Sequence, residues 1–142
     1  MQMGDEELAE KLRARRQPCI ATYGGWVEEI DQARGRAVMS FVMKPEFCHS
    51  VDIVQGGFIT GMVDAAMSHA LIARIGLGIA IPTLEIKVSF LEPGHPGRFL
   101  ALGEVVRLGG AVAFMEGTLH DEKKRLVARA SATARIIRQR KA

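Results

Sequence analysis

Little in this chain invites redox, metal or base-stacking chemistry. Its 142 residues hold two cysteines, Cys19 and Cys48, too few for a disulfide framework and without CxxC spacing. Cys48 and His49 are adjacent, a poor spacing for ligands of one metal, so neither a metal nor another cofactor is expected. Aromatic residues make up only 6% of the chain, with one Trp and one Tyr. Helix-turn-helix and zinc-finger spacings are missing, and the net charge is only +3, so no nucleic-acid partner is expected. The basic end "ARIIRQRKA" reads as a strand running into a solvated tail over 138–142. The opening "MQMGDEELAEKLRARRQ" is charged throughout, unlike a secretory signal. The longest apolar run, Phe58 to Ala73, is interrupted by Asp64 and His69 and is shorter than a membrane span. A cytoplasmic protein without a membrane partner is the expectation.

What is present is one chain of a length suited to a single domain, without an internal repeat or linker. Residues 1–24 read as an N-terminal helical segment, with a surface helix from Asp5 to Arg16 that carries acids early and bases late. Trp26–Asp31 and Arg36–Met43 read as strands joined by the turn "QARG", and Pro45–Gln55 as loop. Between them and the C-terminal half lies "VQGGFITGMVDAAMSHA". Its apolar residues Ile59, Met62, Val63, Ala66, Met67, Ala70 and Leu71 recur with helical period. The other flank is not a Lys/Glu face; it carries Gly57, Gly61, Asp64 and Ser68. A lone carboxylate in such surroundings costs several kcal/mol unless it is paired, hydrogen-bonded or protonated.

After Pro82 the period becomes two. In "TLEIKVSFLEP" Leu84, Ile86, Val88 and Phe90 share one face, and three further strands follow, punctuated by Pro93-Gly94, Pro96-Gly97, Gly109-Gly110 and "EKKR". Four consecutive strands with short turns predict an antiparallel meander. A single apolar helix is enclosed only if that sheet curls round it, and Ala128, Ala130, Ala132 and Ala134 on one face allow the approach.

These residues resemble a known family. "VQGGFITGMVDAAM" is similar to the helix entry of acyl-CoA thioesterases of the PaaI-like branch, and residues 36–137 follow that family's strand pattern. The resemblance implies an α+β hotdog fold over 1–142, a curved antiparallel sheet wrapped around one long helix. It implies thioester hydrolysis at an interface of a homodimer or homotetramer, with acyl-CoA or a similar thioester as substrate. Asp64 is the implied base or nucleophile, Gly56 the oxyanion donor, and Thr83 the hydroxyl that holds water. Gln55 stands where the family has His, His49 where it has Asn, and Gly110 and Ala111 where basic residues often follow Arg107. Arg107 is the implied contact to coenzyme A.

The residues support the same chemistry independently. The first amides of a helix lack intrahelical partners and lie at the positive end of its dipole, and glycines at 56 and 57 let a thioester approach them. The same pair serves equally as a tight turn into the helix. Gln55 can donate to a carbonyl but does not titrate. His49 is a loop residue that could supply a second donor. Ser68, one turn beyond Asp64, is placed to bond it or to line an acyl pocket, and His69 is one step round, towards packing. Eight residues separate Gly56 from Asp64, about 12 Å along a helix. One helix therefore cannot bring both to one carbonyl, whereas two antiparallel copies can. The competing readings are a non-catalytic holder of acyl-CoA or acyl carrier and, behind it, a hotdog dehydratase or hydratase, which lacks a His partner for Asp64.

Overall fold

The computed structural model describes residues 2–138, so the expected basic tail lies outside the described residues apart from Arg138. Helix α1 (Asp5–Ala14) is shorter than expected, and a second short helix, α2 (Pro18–Thr22), follows it with Pro18 at its first turn. Strands β1 (Trp26–Asp31) and β2 (Arg36–Met43) pair antiparallel across the "QARG" turn. The connecting loop contains a 3-10 turn at Pro45–Phe47 and leads to α3 (Gly56–Ile75). The remaining strands are β3 (Ile79–Ala80), β4 (Thr83–Phe90), β5 (Gly97–Leu108), β6 (Val112–Asp121), β7 (Leu126–Arg135) and β8 (Ile137–Arg138).

The six-stranded sheet runs β1-β2-β5-β6-β7-β4, antiparallel at every pairing. This corrects the expected four-strand meander. Only β5, β6 and β7 form one; β4 leaves its sequence neighbour and pairs with β7 at the far edge. Alternation fixes which face a strand buries but not which strand lies beside it. The last strand is also shorter than expected: the backbone breaks at Ile136, and β8 pairs with β3 in a separate two-stranded ladder.

The core lies between this sheet and α3. Ile59, Met62, Val63, Ala66, Met67, Ala70 and Leu71 are all buried, as their helical period requires. Met39, Phe41, Phe99, Met115 and Leu119 meet them from the sheet, and the row Ala128, Ala130, Ala132, Ala134 is buried throughout. By length and composition the 20-residue α3 could cross a membrane, longer than the run read from the sequence. Its apolar surroundings here are supplied by the sheet. On β4, Ile86 and Val88 turn inward, but Leu84 and Phe90 are exposed. A register shift between Thr83 and Glu85 removes Leu84 from the inward face expected for it.

The tightest approach is at Gly103, where a Cβ would overlap the Ala66 carbonyl and the Met67 amide, both backbone. We predict that Gly103→Ala lowers the urea midpoint by the equivalent of about 1–3 kcal/mol or more. Gly110→Ala, where nothing lies within 4 Å, leaves that midpoint close to wild type.

Candidate active site

The α3 N-terminus is held by its flanking loop. Val54 N–H donates to Gly94 O at 2.8 Å and Gln55 N–H to Phe47 O at 2.9 Å. Gln55 is the N-cap, and its Oε1 accepts from Gly57 N–H at 3.1 Å. The Gly57 amide is thereby used inside the protein. Among the described residues the Gly56 N–H has no acceptor, so it is the free donor at the positive end of the helix. Beside it is a cleft of about 350 Å³ lined by His49, Gly56, Phe90 and Glu92. His49 is exposed, with Nδ1 at 2.9 Å from the Ser50 hydroxyl.

Two turns further on, Asp64 is half-buried and its Oδ1 accepts from the Thr83 hydroxyl at 3.0 Å. Thr83 opens β4, so the strand start positions a donor against the helix flank. One carboxylate oxygen is therefore held and Oδ2 is left without a hydrogen bond among the described residues. Ser68 is half-buried on the same flank and lines a second, larger cavity rather than bonding Asp64.

Tyr23 is a neighbour that sequence reasoning missed. Its ring lies across the helix at Gly61, where a Cβ would come within 2.6 Å of it. Phe47 and Phe58 meet the Tyr23 ring edge-on at 6.3 and 5.6 Å between centroids. Gly61 is the local signal that something covers the helix there; it does not say what. His69, expected to turn towards packing, is half-buried. Its Nδ1–H donates to the Ala65 carbonyl at 2.8 Å, and burial lowers its pKa while that bond partly opposes the shift. Its neutral form then carries Nε2 as an acceptor.

The candidate residues fall into two groups along β4. Asp64 and Thr83 are at its start; near its end a Cβ on Gly56 would touch the Phe90 ring at 3.2 Å. Gln55, Gly57 and His49 belong to the Gly56 group. Arg107 joins neither. It is exposed at a bulge in β5, opposite Phe114 on the face of the sheet turned away from α3.

Residues 52–128 match the Thioesterase superfamily. The chain belongs to that superfamily. Its fold is the hotdog, which it shares with the solved structures of PaaI proteins. This superfamily member is 31% identical over 112 residues to an esterase candidate of Saccharolobus solfataricus, covering 79% of each chain. Over 51 residues it is 37% identical to the medium/long-chain acyl-CoA thioesterase YigI of Escherichia coli, covering 36% of this chain and 33% of YigI. A candidate thioesterase related to phenylacetic acid degradation from Ralstonia eutropha superposes with a TM-score of 0.81 at 27% identity, over 90% of this chain and 98% of that one. The Escherichia coli PaaI protein superposes with a TM-score of 0.80 at 18% identity, over 91% of each chain.

The lowered pKa of His69 has a consequence for stability. The folded state binds its proton less readily than the unfolded state. The stabilisation is therefore complete above the ordinary value of 6.5 and is lost as pH falls below it. Between neutral and mildly acidic pH, the drop in Tm should be smaller in His69→Gln than in wild type. Superimposable Tm–pH curves would contradict this.

Proposed function

We propose that the protein hydrolyses acyl-CoA thioesters, with each site formed between two copies of the chain. Asp64 Oδ2 takes a proton from a water whose oxygen bonds to the thioester carbonyl carbon. The negative charge moves to the carbonyl oxygen, which faces the Gly56 N–H of the other copy. As the carbonyl reforms, the C–S bond breaks and the proton on Asp64 passes to the departing thiolate. The products are the free acid and the thiol. Thr83 orients Asp64 through its hydrogen bond, and Gln55 Nε2 and His49 are further donors at the Gly56 end.

The observation that carries this reading is the placing of the two groups at opposite ends of an edge strand. Antiparallel pairing of β4 with its own copy lays the Thr83 end of one strand against the Phe90 end of the other. Asp64 of one copy then meets Gly56 of the other, which no single helix achieves. Leu84, Phe90 and Leu91 are exposed on or just beyond that unpaired edge, an arrangement that soluble proteins otherwise avoid. The overlap with YigI supports coenzyme A as the thiol. A second reading, a non-hydrolytic acyl-CoA holder, is favoured by the engagement of Gln55 as a helix cap.

Thiol release from a panel of acyl-CoAs separates the two. Wild type should turn over at least one of them, and Asp64→Asn should be slower by about two orders of magnitude or more with unchanged circular dichroism. Calorimetric binding of acyl-CoA without thiol release would establish the holder instead. Gly56→Pro tests the oxyanion donor separately. Proline suits a first helical position after the extended Gln55 (φ −63°, ψ 138°) and removes the N–H, while Gly56→Ala, which brings the same Cβ against the Phe90 ring and keeps the N–H, is its control. A fall of about 10²–10³ in kcat is expected; an unchanged kcat places the oxyanion elsewhere.

A further inference from the structure

A cavity of about 440 Å³ lies between the N-terminal helices and the C-terminal half of α3. Its α3 wall begins at Ser68, one helical turn, about 6 Å along the axis, beyond Asp64. The body of the cavity is apolar, built from Ile20, Val27, Met39, Ile72, Ile79 and Ile81. His69 lines it too, and burial keeps that imidazole neutral. Charge enters only at the α1–α2 side, where Arg13, Arg15 and Arg16 line it and no acidic residue does.

The three arginines are not equivalent. Arg13 is committed to Val27 O at 2.6 Å, Glu28 O at 3.1 Å and Glu6 at 2.7 Å. Arg16 gives one nitrogen to Gly25 O at 3.1 Å, and its guanidinium lies 5.6 Å from the Trp26 ring centre. Its remaining donors have no partner among the described residues, and neither does any donor of the Arg15 side chain. One fixed cation and one uncommitted cation therefore stand at the rim of an apolar cavity whose α3 wall starts one turn beyond Asp64.

We propose that this cavity receives the acyl chain and that Arg15 and Arg16 bind a carboxylate at its distal end. The preferred substrates are then ω-carboxyacyl thioesters, the monothioesters of dicarboxylic acids. The proposal rests on the thioesterase reading and names the substrate class of that site. A methylene chain suits the apolar walls. A carboxylate stopped inside would be desolvated and unpaired against a neutral imidazole, whereas at the rim it gains charge-assisted hydrogen bonds. A coenzyme A phosphate would have no reason to enter such a cavity.

The test compares kcat/KM for acyl-CoAs of equal chain length ending in a carboxylate or in a methyl group. Wild type should favour the carboxylate at the chain length that spans the cavity, and Arg15→Gln should lower that preference roughly tenfold or more. Arg15→Lys should restore part of it. The proposal is overturned if wild type shows no preference at any length. It is also overturned if Arg15→Gln slows both series equally, which would assign the rim to coenzyme A. The same comparison by calorimetry, using ketone analogues with CH₂ in place of sulfur, does not depend on turnover. A preserved affinity ratio without hydrolysis of any thioester would refute the thioesterase reading and keep the site. Equal affinities for the two analogues would refute the site alone.

Discussion

The central helix lies so close to the sheet that its Ala66 carbonyl occupies the space a side chain on Gly103 would need. Gly117 plays a lesser part, since a Cβ there would crowd Val63 and Met67. Contact at this range fixes the rotation of α3 about its axis. Its large apolar residues must face β2, β5 and β6, and the alanine row of β7 closes the side. What remains is a flank of Gly57, Gly61, Asp64 and Ser68 turned away from the core. A carboxylate on that flank is neither sealed in nor fully solvated, and one hydroxyl from Thr83 partly satisfies it. The position of Asp64 is thus a consequence of packing on the opposite side of the helix.

In the proposed site the same helix divides its polar groups between stability and chemistry. Gln55 caps it through Gly57 and leaves the Gly56 amide without an acceptor among the described residues. A cap therefore selects which backbone donor stays available. Tyr23 lies across Gly61, so the open approaches to Asp64 in the proposed site are along β4 and from the Ser68 side. The exposed apolar residues of β4 and the larger cavity lie on those two approaches.

Much of this was legible in the sequence, for identifiable reasons. β1 and β2 begin and end where alternation and the "QARG" turn place them, and α3 starts at the double glycine. Asp64 stood out as the one charge in a helical apolar run. Its partner Thr83 came from the family resemblance, because a pairing 19 residues apart has no local signature. The place of β4 at the far edge was not legible, since the pattern records faces and not neighbours. The two-residue strands β3 and β8 are too short to carry a period. The arginine rim was read as the basic end of a surface helix. Only the fold brings Trp26 and Gly25 beneath it.

The central claim is that Asp64 and Gly56 act from different copies of the chain. Mixing two inactive variants tests it directly. Asp64→Asn and Gly56→Pro subunits are unfolded together, refolded as a mixture and assayed against each variant refolded alone. Random pairing leaves one intact site in each mixed dimer, so activity should return to about a quarter of wild type. If both groups serve one carbonyl from the same chain, every site keeps a defect. A mixture no more active than the separate variants would contradict the account.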